Sequence, residues 1–271
     1  MDKKEKKLNI GPTIITLVLI VTILVSATIL YNLFTKPEED VPKSSENTVL
    51  TDTDTNDKTV VVDSVEYKTE TDELSFENTE RNLTLTQYFE RIVITDEGEN
   101  FDKINAYIKK LSDNFISDAQ ENEAFVVDEE HTTYMMYTNI HQAEITKNSD
   151  GILSIKMTAV YYMGGTDTID TYGLNFDLNT GELLAIETFL GMSKTDAKEY
   201  LAEESKKQIT EEFNDDAEKI IDEYELENFN FYILKEAASG DQLYICYPQH
   251  KIAPGAAGAI IMEIPIPTTN E

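Results

Sequence analysis

The sequence predicts an α+β fold, with antiparallel sheets, helices packed on one side, and a single transmembrane helix in front. Three observations support this prediction: an uncharged N-terminal run, segments in which apolar and polar residues alternate, and amphipathic segments set apart from them. Hairpin-like runs with separate helices are typical of α+β proteins, whereas regular strand-helix alternation indicates a parallel α/β sheet. We expect the sheets and helices to form two abutting subdomains.

The N-terminal uncharged run is long enough to cross a membrane. Residues 14–34 contain no charged side chain, and a helix of about 20 apolar residues spans a bilayer. Lysines precede the run and acidic residues follow it, so the positive-inside rule places residues 1–13 in the cytoplasm and the rest outside. Signal-peptide cleavage at Val25-Ser26-Ala27 is the alternative. The apolar run continues past Ala27, which favours an uncleaved anchor and a single-pass protein of the cell membrane.

Acidic residues dominate the composition. The chain has 22 Lys and Arg against 52 Asp and Glu, a formal net charge of -30. Residues 1–13 hold four of the bases and two of the acids, so the remainder carries a net charge of -32. Such a surface repels nucleic acid and speeds encounter with cationic partners. The alternative is that the acidity only confers solubility. We expect no nucleic-acid partner.

The chain has one cysteine, which excludes an intrachain disulfide framework. In an exported protein, the lack of disulfides fits a bacterial envelope better than an animal secretory route. Cys246 lies in the apolar run LYICY, and we expect a buried structural thiol.

The first predicted subdomain spans residues 63–165 and follows a flexible acidic stalk at 35–62, which is polar with two prolines. Alternating residues between Val65 and Phe76 predict strands. Apolar residues then recur at helical spacing from about residue 100 to 119: Phe101, Ile104, Ile108, Leu111 and Phe115. Two further strands are expected at 134–146 and 152–163, joined by a turn at 147–151.

The second predicted subdomain spans residues 166–271. A strand at 172–178 is expected to turn at Asn179-Thr180-Gly181 and return at 183–186. Ser193 with Asp196 three residues later resembles a capping box that opens a helix to about Phe213. A shorter helix over 217–224 and three strands complete the chain: 229–234, 242–247 and 259–264.

No sequence motif indicates catalysis or metal binding. His131 and His141 are ten residues apart, without the HxxxH or HExxH spacing of zinc sites. The nucleophile elbow, the phosphate-binding loop and the dinucleotide fingerprint do not occur. Carboxylates are too numerous for one pair to be singled out as acid and base. We therefore expect no catalytic residue, no metal ligand, no cofactor and no enzymatic activity.

The segment YPQHKIAPGAAG, residues 247–258, contains no acidic residue in a strongly acidic chain. Pro254 and two glycines supply the backbone angles that a tight excursion between two strands requires. Ala256 and Ala257 leave room for close packing. Two alternatives follow: the loop packs on its own sheet, or it is a docking surface with Tyr247 and His250 at its base.

Four segments resemble one bacterial ectodomain family: YYMGG (161–165), FDLNTGELLAIETFL (176–190), FDKINAYIKKL (101–111) and FYILKEAASGDQLYICYPQHKIAPGAAGAIIMEIPI (231–266). The family is the domain of unknown function found outside the membrane in RsiV-type anti-sigma factors and beside the catalytic domain of PdaC-type peptidoglycan deacetylases. The resemblance covers about 65–267. It implies an α+β fold in two parts that meet near Gly164-Gly165, and an envelope module that binds rather than catalyses.

The resemblance also implies a partner. In RsiV-type proteins the module recognises lysozyme, a basic protein, which agrees with the net charge of -32 outside the cytoplasmic tail. The family often has Gly-Gly-Ala-His where this chain has Gly164, Gly165, Thr166 and Asp167, so no role of that histidine carries over. An anti-sigma factor needs a cytoplasmic domain, and residues 1–13 are too few to fold. We therefore expect neither sigma-factor inhibition nor, with no deacetylase domain following, deacetylation.

We expect a membrane-anchored binding or sensing module whose partner is a cationic envelope-active protein such as lysozyme, or cell-wall glycan. The alternative is a peptidoglycan-modifying enzyme or its accessory subunit. The expected contact residues lie in two loops: Met163, Thr166 and Asp167 in the first, and Tyr247, His250 and Pro254 in the second. Five glycines are expected to shape the loops and turns: Gly164, Gly165, Gly181, Gly255 and Gly258.

Overall fold

The computed structural model describes residues 61–78, 83–126, 135–163, 167–236 and 240–267, all within one compact unit, Thr59–Glu271. The predicted cytoplasmic tail, the transmembrane segment and the stalk up to residue 60 lie outside the described residues. Within the described part, no helix combines the length and the apolar composition needed to cross a membrane.

A five-stranded sheet occupies the first half of the described chain, in the order β1-β2-β3-β4-β5. Its strands are β1 Tyr67–Asn78, β2 Leu83–Ile94, β3 Met135–Ser149, β4 Ile152–Met163 and β5 Asp167–Asp177. β2 and β3 run parallel, and the other pairs are antiparallel. The expectation of purely antiparallel sheets is wrong here, because the long crossover between β2 and β3 returns the chain in the same direction.

Helix α1, Glu99–Val126, lies in that crossover and covers one face of the sheet. Its apolar stripe is buried at Phe101, Ile104 and Ile108, as the spacing predicted. These side chains share a core with Phe89 of β2 and with Leu153, Ile155 and Met157 of β4. The predicted amphipathic helix is confirmed, and it extends seven residues beyond its predicted end.

The second half of the chain forms a three-stranded antiparallel sheet with short helices. Its strands are β6 Asn230–Glu236, β7 Gly240–Tyr247 and β8 Ile260–Ile264. The helices are α2 Ile186–Leu190, α3 Lys194–Lys206 and α4 Ala217–Asp222, with single 3-10 turns at Leu226–Asn228 and Gly255–Ala257. The three predicted strands are confirmed.

Two local predictions differ in outcome. Ser193 caps α3, since its hydroxyl accepts a hydrogen bond from the Asp196 amide at 3.2 Å, although α3 ends at Lys206 rather than near Phe213. The expected return strand at 183–186 is wrong. It amounts to a single bridge between Phe176 and Leu183, because α2 begins at residue 186.

Strand β6 packs on the face of the five-stranded sheet that α1 leaves free. Alternate residues of a strand point to opposite faces, and on β4 Ser154 faces away from the core shared with α1. The Ile233 amide donates to Ser154 Oγ at 2.9 Å, and Asn175 Nδ2 donates to the Phe231 carbonyl at 2.7 Å. The contact requires Gly173, since an added Cβ there would lie 1.7 Å from the Phe231 carbonyl oxygen.

The sequence prediction that the helices pack on one side is therefore wrong. α1 closes the core of the five-stranded sheet, whereas α2, α3 and α4 enclose a second core with the three-stranded sheet. β5 belongs to the first sheet, although it follows residue 165, where the sequence places the subdomain boundary.

Candidate functional site

Gln249 attaches the second of the two loops in which contact residues were expected to strand β5, which begins directly after the first loop. Its Oε1 accepts a hydrogen bond from the Ile169 backbone N–H at 2.9 Å, and its own backbone N–H donates to the Asp170 carboxylate at 2.8 Å. Its Nε2 donates to the Gly255 carbonyl within the second loop. The loop of residues 248–258, here called the C-terminal loop, is thereby fixed to the start of β5.

The C-terminal loop has both buried residues, which anchor it to the core, and residues exposed to solvent. Ile252 and Ala253 are buried, and Ile252 belongs to the second core. Six residues of the loop are exposed: Pro248, His250, Lys251, Pro254, Ala256 and Ala257. We call four of them, His250, Pro254, Ala256 and Ala257, the small-residue surface. The ammonium of Lys251 lies over the Tyr224 ring, 5.5 Å from its centroid. Ile169, which is 44% exposed at the start of β5, lies beside it because its amide is bonded to Gln249.

Tyr247 does not belong to this surface. Its side chain is 0% exposed, and its hydroxyl donates to Ser205 Oγ at 2.9 Å inside the second core. Its ring packs against Tyr224 and Phe229. A contact role for Tyr247 is therefore wrong for this structure. Strand alternation directs the side chain inward, and the loop begins one residue later.

The remaining expected residues divide between described and undescribed parts of the chain. Asp167 is exposed and opens β5 opposite Tyr162. Pro254 is exposed and directly precedes the 3-10 turn. Gly164, Gly165, Thr166 and the side chain of Met163 lie outside the described residues.

Two of the expected glycines have a clear steric reason. The imidazole of His250 lies over Gly255, where an added Cβ would be 1.8 Å from His250 Cε1. Gly181 has φ of 75° and sits against the start of α1, with an added Cβ 2.3 Å from the Asn100 carbonyl oxygen. Gly258, at the end of the C-terminal loop, has φ of 71° and nothing within 4 Å of an added Cβ.

Acidic side chains border the small-residue surface on two sides. On one side, the Asn214 amide donates to the Ile252 carbonyl at 3.0 Å, so the segment 211–216 runs beside the loop. That segment exposes four carboxylates: Glu211, Glu212, Asp215 and Asp216. On the other side lie Asp167, which is exposed, and Asp170, which is half-buried. The small-residue surface, whose loop also exposes the basic Lys251, is thus bordered by negative charge.

A second candidate site is a cleft of about 590 Å³ between α1, β5 and the segment that leads into β6. This volume lies in the range of small-ligand sites. Its walls are largely aromatic, formed by Phe89, Tyr107, Phe115, Tyr172, Phe229 and Phe231. We call it the α1–β5 cleft. No sequence prediction pointed to it.

His141 lines this cleft within a cage of rings. Its Nδ1 lies 2.8 Å from the Tyr172 hydroxyl, and its Nε2 lies 3.4 Å from the Tyr161 hydroxyl. Its ring centroid is 4.5 Å from that of Phe115 and 5.3 Å from that of Phe89. Burial lowers the pKa of His141 to about 4, so the imidazole is neutral at neutral pH. Burial also raises the pKa of Tyr172, which keeps its hydroxyl protonated.

The described histidines and the cysteine stand apart from one another. His141 lies in the cleft, His250 lies on the C-terminal loop, and His131 falls outside the described residues. Within the described ranges, no three His, Cys, Asp or Glu side chains are grouped so that they could hold a metal ion. Cys246 is buried, which confirms that expectation, and burial raises the pKa of its thiol to about 12.

Comparison with known proteins finds similarity between this chain and the DUF3298 family. Two solved structures of DUF3298 family members are similar to it: one from Bacteroides fragilis, with 17% identity over 75% of this chain and 92% of that chain (TM-score 0.47), and one from Pseudomonas aeruginosa, with 14% identity over 75% and 91% (TM-score 0.43). No curated protein matches the chain. Residues 190–267, which contain α3, α4, the three-stranded sheet and the C-terminal loop, match the model of the family described as a protein of unknown function, DUF3298. The family match covers less than a third of the chain, and it is this C-terminal part that resembles DUF3298 proteins.

Proposed function

We propose that the protein is a membrane-anchored, extracytoplasmic binding or sensing module whose partner is a cationic envelope-active protein, with lysozyme as the first partner to test. The anchor in this proposal is the uncharged segment 14–34. The observation that carries the proposal is the Gln249 attachment, because it holds the C-terminal loop beside the start of β5, next to the position of the first loop expected to make contact.

The chemistry of that surface supports a basic protein as the partner. Small side chains such as Ala256 and Ala257 allow another backbone to approach closely, and the acidic border can pair with lysine and arginine around the contact. Complementary charge steers encounter and fixes the orientation of the partner more than it sets the affinity. A chain with a net charge of -30 would strongly favour encounter with a basic protein.

The direct test is calorimetric titration of hen lysozyme into residues 59–271, which form one compact unit. Acidic proteins bind basic ones loosely at low salt, so the titration is repeated at about 0.15 M salt, where surface charges are screened beyond about 8 Å. We expect saturable one-to-one binding at both salt concentrations. Binding that disappears at the higher salt contradicts the proposal and makes cell-wall glycan fragments the next ligands to titrate.

A pair of variants distinguishes the contribution of the small-residue surface to lysozyme binding from the contribution of net charge. Ala256→Arg places a bulky cation on the small-residue surface, and we expect at least about tenfold weaker binding because shape and charge both oppose the partner. Thr69→Arg is the matched control, since it adds the same charge at an exposed position of β1, the opposite edge of the sheet from β5. Equal effects of the two substitutions would mean that only net charge matters.

A further inference from the structure

Two carboxylates in the α1–β5 cleft have no counter-ion among the residues that the structure describes. Asp118 extends from α1 and Glu227 from the 3-10 turn before β6, and both side chains are exposed and line the cleft. Within the described residues, neither forms an ion pair or a hydrogen bond, and no lysine or arginine lines the cleft. His141 does not compensate them, because its buried imidazole is neutral at neutral pH. The cleft therefore presents uncompensated negative charge.

The walls around these carboxylates are aromatic. Tyr107, on α1, is 37% exposed, and its ring stands edge-on to Phe176 with the centroids 5.7 Å apart. Phe115 and Phe229 line the cleft as well. A guanidinium group is planar, stacks on aromatic faces, is weakly hydrated and donates paired hydrogen bonds to carboxylates. An ammonium is a compact, strongly hydrated point charge and makes less use of such walls.

We propose that the α1–β5 cleft binds an arginine side chain of a cationic protein partner. The inference deepens the proposed function and rests on it for the identity of the partner. Both sites lie along β5: Ile169 and Asp170 hold the C-terminal loop, and residues 172–175 line the cleft. A strand rises about 3.3 Å per residue, so the two sites are separated by about 10 Å along β5. One partner can therefore occupy both.

The three histidines of the chain provide the readout. The full chain, in nonionic detergent and labelled with ¹³C at histidine, gives three imidazole signals, which His131→Gln and His250→Gln variants assign. The probe is N-acetyl-arginine methylamide at about 0.15 M salt. We expect the His141 signal to move saturably at millimolar probe while the His250 signal stays. The citrulline analogue, of the same shape without the charge, and the lysine analogue are expected to move the His141 signal much less.

Substitution of the two carboxylates tests their role. Asp118→Asn/Glu227→Gln preserves shape and removes charge, and we expect the arginine probe to bind at least about tenfold more weakly, since hydrogen bonds between charged groups are lost. Glu66→Gln/Glu73→Gln is the matched control, with the same charge change at exposed positions on the opposite side of the sheet. No movement of the His141 signal, equal movement by the citrulline or lysine analogue, or an effect of the control pair as large as that of the cleft pair would overturn the inference.

Lysozyme titrations of the same variants separate this inference from the proposed function. An arginine probe that binds in the cleft while lysozyme does not bind overturns the proposed partner and leaves the cleft assignment standing. Lysozyme that binds wild type and Asp118→Asn/Glu227→Gln equally well overturns the cleft as its anchor and leaves the small-residue surface as the contact.

Discussion

The hydroxyl of Tyr247 donates a hydrogen bond to Ser205 Oγ at 2.9 Å, and both side chains are fully buried between β7 and α3. This bond connects the strand that leads into the C-terminal loop with the helix that covers the three-stranded sheet. Tyr247 therefore supports the loop from inside the core, and its contribution should appear in stability.

Tyr247→Phe removes the hydroxyl and leaves Ser205 without this partner. We expect the free energy of unfolding to fall by about 1–2 kcal/mol, the cost of an unpaired buried hydroxyl, and lysozyme binding to be unchanged. Urea unfolding measures the first quantity and calorimetry the second. Tyr67→Phe, at a side chain that is 47% exposed, is the control and should change neither. If Tyr247→Phe lost lysozyme binding while its free energy of unfolding stayed at the wild-type value, Tyr247 would be a contact residue after all.

Protonation of His141 should destabilise the fold as the pH falls. Burial lowers the pKa of His141 from 6.5 to about 4, so between these values the unfolded chain binds a proton that the folded chain does not. Stability from this group is therefore fully present above pH 6.5 and is lost as the pH falls toward 4, by about 3 kcal/mol in all.

The measurement is the free energy of unfolding in urea at several pH values between 7 and 4, in wild type and in His141→Gln. Because carboxylates also titrate in this range, the effect of His141 is taken as the difference in the free energy of unfolding between wild type and His141→Gln at each pH. We expect the wild type to lose more stability than the variant on acidification. His250→Gln, at an exposed histidine, should follow the wild type. Parallel curves for wild type and His141→Gln would contradict the burial of a neutral imidazole.

Gly173→Ala should separate the two sheets. The added methyl group would lie 1.7 Å from the Phe231 carbonyl oxygen, and backbone on both sides leaves no flexible group to move away. We expect a loss of several kcal/mol, or failure to fold, because overpacking and the lost bonds of β6 add together (about 3 kcal/mol or more). Thermal unfolding by circular dichroism measures the loss.

Gly240→Ala is the control for Gly173→Ala. Its φ is 82°, but nothing lies within 4 Å of the added methyl, so it carries only the backbone cost of about 1 kcal/mol. Similar losses of stability in Gly173→Ala and Gly240→Ala would contradict the view that Gly173 is needed for the close approach of β6.

Lys147 joins the two sheets through an ion pair. Its ammonium lies 2.7 Å from Asp241 of β7 and 2.8 Å from Asp150, and its side chain is 0% exposed. Lys147→Met leaves Asp241 unpaired, and we expect a loss of about 3 kcal/mol. Lys147→Met/Asp241→Asn should recover part of it, because the unpaired charge is gone. Lys235→Met removes an exposed partner of Asp150 and should have little effect. Chemical denaturation of the three variants measures these changes in the free energy of unfolding.

Local patterns in the sequence predicted most elements of secondary structure. The apolar spacing of α1 and the strands β3, β4, β6, β7 and β8 follow from periodicity and turn residues, since each depends on neighbours a few positions away. Strand β2 escaped prediction, because the buried polar residues Gln87 and Arg91 interrupt its apolar alternation. Arg91 is neutralised by Asp72 and Glu70 of the neighbouring strand, a pairing that no local pattern contains.

The candidate sites were predictable to different degrees. Composition alone distinguished the C-terminal loop, and the hydrogen bonds of Gln249 show that it lies beside the start of β5. The α1–β5 cleft was not predictable, because Tyr107, His141, Tyr172 and Phe229 come from four segments spread over more than a hundred residues. The sequence spacing of His131 and His141 indicated no site, so nothing local predicted a place for His141 in a cleft.

By itself, the sequence determined the acidic charge, the amphipathic helix, the hairpins and the acid-free loop, because these properties depend on composition or on residues close together in the chain. Only the tertiary structure decided that β2 and β3 run parallel, that Tyr247 points into the core, and that His141 is enclosed by aromatic rings. Each of these depends on contacts between distant segments. The free energy of such contacts comes from packing the apolar faces of two segments together. Local periodicity shows that a segment has an apolar face, but it does not show which segment covers that face.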